Sequence, residues 1–248
     1  MTAKAQAAGI DLRGRVAVLT LRRPASGNRI TTRMAKEITA LLESARDDPG
    51  IGACVVTGQG EAFCLGGDFH GEGATAASRA TYSDALTAMD WAMCSLGKPL
   101  VAAVNGNAHA GGFGLVVACD IAVMSKDATL GLPEAARGLF PFIATAIVRD
   151  ALPKKVFFDI VYNARLMDAQ EALSLRLVNE VVAPGSVLET AIAAAEKASS
   201  YDPAIVRLGR DLYYDTRNAT PEQAFERARS ALARALEAYV AAGSKRLD

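Results

Sequence analysis

The sequence predicts an α/β fold in which a parallel sheet and its helices are followed by a mainly helical region. Short apolar runs that are typical of buried strands alternate with helix-compatible segments over the first half of the 248 residues. Several of these runs are apolar throughout, which indicates strands covered on both faces, as in parallel sheets. From residue 144 onward most of the chain has helical periodicity. The expected fold class is therefore α/β with a helical C-terminal region.

The individual elements follow from periodicity and from helix-stopping residues. Strands are expected at 16–21, 53–57, 100–104, 121–124, 129–131 and 177–182. Helices are expected after Thr31 or Thr32, at 82–96, at 113–119, around Pro133 and Glu134, and at 221–241. The last helix is amphipathic, and its apolar side holds Phe225, Ala228, Leu232, Ala235 and Leu236. No linker marks a sharp boundary, and a division near residue 195 separates a core, 1–195, from a helical region, 196–248.

Composition excludes several classes of function. The formal net charge is zero, so we expect neither nucleic acid nor an anionic membrane surface as a partner. No apolar run reaches ~18 residues, and residues 1–10 do not resemble a signal peptide. The four cysteines form no CxxC pair, which favours free thiols in a reducing cytoplasm.

Two glycine-rich turns carry the strongest functional signal. One is Phe63-Cys64-Leu65-Gly66-Gly67-Asp68, and the other is Asn105-Gly106-Asn107-Ala108-His109-Ala110-Gly111-Gly112. Each follows a buried strand and leads toward a helix-compatible segment, so backbone N–H groups there can be donors to a ligand. Two such turns can form an oxyanion hole, which stabilises negative charge on a carbonyl oxygen. Neither turn matches a dinucleotide fingerprint or a P-loop.

The acid–base candidates are few. Glu134 follows Pro133 in an otherwise apolar segment, where burial can raise the pKa of a carboxyl group and suit it to proton transfer. His109 lies inside the second turn and either packs internally or faces a substrate, and His70 follows the first turn. Cys64 could be a nucleophile only if His109 came beside it. Neither histidine has the spacing of a metal site, so no metal is expected.

Taken together, these segments resemble the crotonase superfamily, the enoyl-CoA hydratase/isomerase family. The blocks that carry the resemblance, in order, are Leu21-Arg22-Arg23-Pro24 with Asn28, residues 63–68, residues 98–106 with 110–112 and 119–122, Gly131-Leu132-Pro133-Glu134 with residues 138–141, and residues 169–173 with 177–179. The resemblance covers residues 14 to 200. Five such blocks in the family's order make a specific match.

The resemblance implies a fold and a substrate class. It implies ββα units wound into a superhelix, an acyl-CoA thioester as substrate, and a homotrimer or dimer of trimers. No tightly bound cofactor is implied, since coenzyme A is part of the substrate. The helical C-terminal region would serve oligomerisation and pocket closure.

The resemblance also implies residue roles. The N–H groups of Leu65 and Gly111 would hold the oxygen of an enolate, and Glu134 would move the proton. The residues implied in contact with coenzyme A are Arg23, Ala25, Cys64, Leu65, Gly67 and Asp68, and Arg22 is a further candidate for the phosphates.

Two departures from the family pattern leave the reaction open. Hydratases of the family commonly carry a second glutamate where this chain has Gly114. One glutamate suffices for double-bond isomerisation, which is slightly favoured, while hydration or C–C bond hydrolysis would use His109. The C-terminus lacks the family's usual last block apart from Lys245 and Arg246. A catalytically inactive scaffold or accessory subunit is the alternative of another class.

Overall fold

The computed structural model describes residues 6–69 and 75–241. The strands are β1 (Ala8–Arg13), β2 (Val16–Leu21), β3 (Ala53–Gly58), β4 (Leu100–Val104), β5 (Ala108–His109), β6 (Ile121–Ser125), β7 (Thr129–Gly131), β8 (Leu166–Asp168) and β9 (Glu180–Val182). The helices are α1 (Thr32–Asp47), α2 (Ala76–Cys94), α3 (Gly111–Ala118), α4 (Phe142–Val148), α5 (Lys154–Tyr162), α6 (Ala169–Ser174), α7 (Val187–Ser199), α8 (Pro203–Thr216) and α9 (Pro221–Ala241). Short 3-10 helices occupy Pro24–Ser26, Pro133–Arg137 and Pro184–Ser186.

The main sheet has six strands in the order β1-β2-β3-β4-β6-β9. Every neighbouring pair is parallel except β1 and β2, which form an antiparallel hairpin. A smaller sheet joins β5, β7 and β8 beside it. The parallel core predicted from the apolar runs is confirmed, and the sequence of strand, helix and strand brings the carboxyl ends of β3 and β4 to one edge.

Several elements differ from the sequence prediction. Strands β1, β5 and β8 were not predicted, since two of them have only two or three residues and β1 carries no apolar run. Helix α2 begins at Ala76, where Thr75 caps it, and α3 begins at Gly111. Strand β9 begins at Glu180 and is shorter than predicted; just before it, Asn179 accepts a hydrogen bond from Ala122 N through its side chain at 2.9 Å and donates its N–H to Ala122 O at 2.8 Å.

The two faces of the sheet pack against different layers. On β2, Ala17, Leu19 and Leu21 belong to the larger core beneath α1 and α2. Val16 and Val18 point to the opposite face, where α7 covers the sheet. This alternation follows from the two-residue period of a strand. The division near residue 195 falls inside α7, so we place the start of the helical C-terminal region after residue 199 instead.

The C-terminal helices attach to this core through α8, and α9 packs on α8. Ala231 of α9 is buried, but Phe225, Leu232 and Leu236 are 77%, 59% and 53% exposed. The apolar side predicted for α9 is therefore largely uncovered in the single chain. No helix within residues 6–69 and 75–241 is both long and apolar enough to cross a bilayer.

Candidate active site

The two glycine-rich turns lie side by side. The N–H of His109 donates to Cys64 O at 2.9 Å, and the N–H of Cys64 donates to Asn107 O at 3.2 Å. The first turn is also tied to the segment after β2, since the N–H of Ile30 donates to Gly66 O at 2.9 Å. The convergence on which the oxyanion-hole prediction depended is therefore present.

The close approach of the turns explains their glycines. A Cβ atom on Gly66 would lie 2.6 Å from the Cβ of Ala110 and 3.5 Å from Gly111 N, and the φ angle of Gly66 is +95°. A Cβ atom on Gly112 would lie 2.0 Å from Cys64 O. Only glycine fits at these two positions, because any side chain would separate the turns.

The structure identifies which N–H groups can bind an external oxygen. The N–H of Leu65 donates to Gly27 O at 2.9 Å, so Leu65 is unavailable and its assignment as an oxyanion donor is corrected. Within the described residues, the N–H groups of Gly67 and Gly111 donate to no protein acceptor. A Cβ atom on Gly111 would lie 4.0 Å from Gly67 N, so the two donors are close together. Gly111 also begins α3, where the helix dipole favours negative charge.

Ala110, which precedes α3, has a backbone conformation that is rare for a residue with a side chain. Its φ and ψ are 54° and −124°. Its N–H donates to Gly131 O at 2.8 Å, and its carbonyl accepts from Gly114 N at 3.2 Å. These bonds hold the strained residue, and strain of this kind is concentrated at functional sites. Its effect here is to aim Gly111 N–H toward the first turn.

Both free donors open on one cavity of about 280 Å³. Its wall is mostly apolar and aromatic, and it includes Ile30, Gly67, Phe69, Tyr82, Ser83, Leu86, Met89, Asp90, Ala110, Gly111, Gly114, Glu134, Leu139, Phe140, Pro141, Phe142, Ile143 and Ala144. An apolar cleft with a few convergent polar groups is the usual form of a small-molecule site. Gly114 lies on the wall and leaves space where a side chain would stand.

Glu134 places a buried carboxylate on the wall of this cavity. It lies in the 3-10 helix Pro133–Arg137, rather than in an α-helix. Its Oε2 atom is buried and has no hydrogen-bond partner among the described residues. Burial raises the pKa of its carboxyl group, while a hydrogen bond from its own backbone and the charge of Arg137 act in the opposite direction. An oriented carboxylate with an unsatisfied oxygen is suited to taking up a proton.

His109 is not part of the cavity wall. Its Nε2 lies 2.8 Å from Thr129 Oγ1, and that hydroxyl donates to Asn107 Oδ1 at 3.0 Å. The Thr129 hydroxyl therefore bridges the His109 imidazole and the Asn107 side chain. Burial lowers the pKa of His109, and Arg29 and Arg137 lower it further. The His109 ring is held against Thr129 of β7 and is not part of the cavity wall, so its catalytic role stays a prediction that this geometry does not favour.

Asp90 is a second carboxylate on the wall, and sequence reasoning missed it. Helical spacing places it on the face of Tyr82 and Leu86, which was the signal that could have revealed it. Burial raises its pKa to about 7.

Of the residues predicted to contact coenzyme A, Gly67 lines the cavity and the other five do not. Arg23 forms an ion pair of 2.8 Å with Asp68 and also donates to Arg29 O. The Arg23 and Asp68 side chains therefore each use part of their hydrogen-bonding capacity on the other. Ala25 is exposed beside them. Arg22 is paired with Asp11 at 2.8 Å.

Two of the predicted coenzyme A contacts change in role. Cys64 is fully buried and its pKa is raised to about 12, so its thiol cannot touch a ligand or act as a nucleophile. The carbonyl of Leu65 accepts from Arg29, which leaves that residue only its side chain for contact. Arg29 donates to the carbonyls of Leu65 and Gly67 and is a cation that the sequence analysis did not single out.

Some predictions fall where the structure gives no description. His70 lies outside the described residues, as do Lys245 and Arg246. Within residues 6–69 and 75–241, no group of three or more His, Cys, Asp and Glu side chains could hold a metal ion.

Two glycines of α3 provide a matched test of the packing between the turns. We expect Gly112→Ala to destabilise the protein by ~1–3 kcal/mol, because its Cβ would overlap Cys64 O and force the turns apart. We expect Gly114→Ala to be neutral or stabilising by up to ~1 kcal/mol, since its Cβ would meet Ala144 at an ordinary 3.6 Å and helix propensity improves. Urea denaturation of both variants measures the difference. Equal effects would contradict the proposed contact between the turns.

Comparisons with known proteins agree with this geometry. Residues 11–241 match the model of the family described as enoyl-CoA hydratase/isomerase. A Thermus thermophilus protein whose name assigns it provisionally as an enoyl-CoA hydratase is 37% identical over 204 residues, with 81% of each chain covered. A carnitinyl-CoA dehydratase of Proteus mirabilis is 30% identical over 227 residues, covering 91% of this chain and 87% of its own.

Solved structures show the same fold. The crystal structure of an enoyl-CoA hydratase from Mycobacterium smegmatis superposes with a TM-score of 0.89 at 27% identity, covering 93% of this chain and 91% of that chain. An enoyl-CoA hydratase from Bacillus anthracis gives 0.87 at 26% identity, covering 92% and 90%. The predicted crotonase-like α/β fold is confirmed by these matches.

Proposed function

Because the chain belongs to the enoyl-CoA hydratase/isomerase family, an enzyme family acting on acyl-CoA thioesters, we propose that it shifts the double bond of an enoyl-CoA through an enolate. One observation carries the proposal. The free N–H groups of Gly67 and Gly111 open on the same cavity as the unpartnered Oε2 of Glu134. This arrangement pairs a charge-stabilising site with one proton-transfer group.

The proposed reaction needs only these groups. The thioester oxygen accepts hydrogen bonds from Gly67 and Gly111, which makes the hydrogen on the α-carbon more acidic. The Glu134 carboxylate removes that proton, and the electron pair moves onto the thioester oxygen as the enolate forms. The enolate then collapses, the double bond moves from the β,γ to the α,β position, and Glu134 returns the proton to the γ-carbon. Each amide donor of this kind contributes ~10²–10³ in rate.

Coenzyme A is proposed to lie along the outside of the first turn. Arg29 is the cation nearest to that turn, since it contacts the carbonyls of Leu65 and Gly67. Arg23 lies beside it with its charge shared by Asp68. Guanidinium groups are suited to phosphate oxygens, so we assign Arg29 and Arg23 to the phosphates.

Hydration or dehydration is the second candidate, favoured by the names of the related proteins. Gly114 weighs against it, because no side chain at that place holds or deprotonates water. The test is to supply β,γ- and α,β-enoyl-CoA separately and to identify the products. Formation of α,β-enoyl-CoA from the β,γ isomer without 3-hydroxyacyl-CoA supports isomerisation, whereas 3-hydroxyacyl-CoA from the α,β substrate, with the β,γ isomer left unchanged, supports hydration. The inactive scaffold considered from the sequence is not retained.

The pH dependence of isomerisation follows from the Glu134 pKa. Proton abstraction needs the ionised carboxylate, so kcat/KM falls as the pH drops through the raised pKa of Glu134. We expect the midpoint of this fall in kcat/KM at a pH above ~4.3, which is the ordinary pKa of a glutamate. Asp90 titrates at about 7 in the same cavity, so the profile is measured in Asp90→Asn as well. A midpoint at or below the ordinary glutamate pKa in both proteins would contradict the assignment.

Oligomer formation and location are further proposals. The exposed apolar stripe of Phe225, Leu232 and Leu236 on α9 supports a homotrimer or a dimer of trimers, in which a partner covers that stripe. Sedimentation of the purified protein tests it. Four free cysteines support a cytoplasmic location.

A further inference from the structure

The far wall of the cavity carries an ionisable group that the proposed reaction does not use. Asp90 lies on α2 among Leu86, Met89 and other apolar lining residues, and it forms no hydrogen bond or ion pair within the described residues. An unpaired carboxylate in an apolar wall is costly to keep. A ligand group that pairs with the Asp90 carboxylate would remove that cost.

The position of Asp90 places it away from the reacting carbonyl. Tyr82 stands beside the oxyanion site, because a Cβ atom on Gly67 would lie 2.3 Å from the Tyr82 hydroxyl. Asp90 comes eight residues later on the same helix, which is about 12 Å along the helix axis. Asp90 is therefore placed to meet the end of an acyl chain rather than its α-carbon.

The charge of the wall selects the kind of chain end. The ionisable groups among the described lining residues are the acids Asp90 and Glu134 and the phenol Tyr82, and no basic residue stands with them. The wall also holds the aromatic rings of Phe140 and Phe142, whose centroids are 5.6 Å apart. Aromatic faces attract cations within about 6 Å and are used to bind quaternary ammonium groups. The wall thus favours a positive group and disfavours a carboxylate.

We propose that the substrate is an acyl-CoA whose acyl chain ends in a cationic ammonium group, and that Asp90 binds this group as the specificity-determining residue. This inference rests on the proposed function, because it assumes that the cavity holds an acyl chain with its thioester at Gly67 and Gly111. Asp90 takes no part in the proton transfer.

Binding of unreactive saturated thioesters tests the proposal by calorimetry. The probes are a butanoyl-CoA with a terminal trimethylammonium group, its neutral isostere with a terminal tert-butyl group, and a straight-chain thioester ending in a carboxylate. We expect the cationic thioester to bind at least ~10-fold more tightly than the neutral isostere, as for a charge-assisted contact. The carboxylate-ended thioester should bind most weakly of the three.

Two variants distinguish the contribution of Asp90 to ligand affinity from general effects of a substitution on α2. Asp90→Asn keeps the shape of the side chain and should lower the ratio of cationic to neutral affinity at least ~10-fold. Asp84→Asn is the matched control, since Asp84 is exposed on the same helix and lies outside this cavity. It should keep the wild-type ratio. The far-ultraviolet circular dichroism of both variants confirms that they are folded.

The remaining outcomes overturn the inference in distinguishable ways. Equal or tighter binding of the neutral isostere by the wild type, or an unchanged ratio in Asp90→Asn, would remove Asp90 as the recognition group. Loss of turnover in Asp90→Asn with the affinity ratio preserved would assign it to catalysis instead. If neutral enoyl-CoA is isomerised without any preference for the cation, only this inference fails. If no acyl-CoA binds, the proposed function fails with it.

Discussion

Glu134→Gln is expected to lower kcat for double-bond isomerisation by ~10²–10⁴-fold, the usual contribution of general acid–base catalysis. The amide has nearly the shape of the carboxylate but cannot take up the proton from the α-carbon. The Oε2 atom that would be replaced is buried and unpartnered, so no hydrogen bond within the described residues is lost. Steady-state kinetics with a β,γ-enoyl-CoA measure the effect.

Binding distinguishes loss of chemistry from loss of the site. A saturated acyl-CoA should bind Glu134→Gln with an affinity close to that of the wild type, because the oxyanion donors of Gly67 and Gly111 are main-chain groups that the substitution leaves in place. Glu43→Gln, on the exposed face of α1, is the matched control and should retain activity. Retention of most of the activity by Glu134→Gln would remove Glu134 from the mechanism.

Arg210→Met is expected to destabilise the fold by about 3 kcal/mol, at the lower end of the range for breaking a buried ion pair. Arg210 lies on α8 and is buried, with its Nε 2.9 Å from Asp120. It also donates to the carbonyls of Met93 and Cys94 at the end of α2, at 2.8 and 2.6 Å. Methionine fills the space but leaves these acceptors without a donor. The lower figure is chosen because the Asp120 side chain is 29% exposed and water can reach it.

Chemical denaturation at a fixed protein concentration measures this loss. Arg207→Met is the matched control, because Arg207 is on the same helix and its ion pair among the described residues is an exposed one of 3.7 Å with Asp211. Its effect should stay within ~0.5 kcal/mol, as for surface pairs. If the two substitutions cost the same, Arg210 does not fasten α8 to the core.

Local patterns were enough to predict most of the layered core. The runs at 16–21 and 100–104 are apolar at every core-facing position, and β2 and β4 have these bounds in the structure. Glycines after β3 and β4 were predicted to bring two turns together, and the bond from His109 to Cys64 confirms it. Glu134 was found because a carboxylate in an apolar segment is unusual, and it does line the cavity.

The sequence by itself therefore predicted the α/β class, the two glycine-rich turns and a carboxylate at the cavity, because each depends on periodicity or on a residue's immediate neighbours. Only the tertiary structure decided which main-chain N–H groups of the turns lack a protein acceptor. The N–H of Leu65 donates to the carbonyl of Gly27, a residue 38 positions earlier in the chain. The tertiary structure also places the His109 ring beside Thr129, and it places Asp90 on the wall of the cavity. Residues that are distant in sequence decide whether a polar group is hydrogen-bonded or free. Local sequence patterns carry no information about which distant residues come into contact.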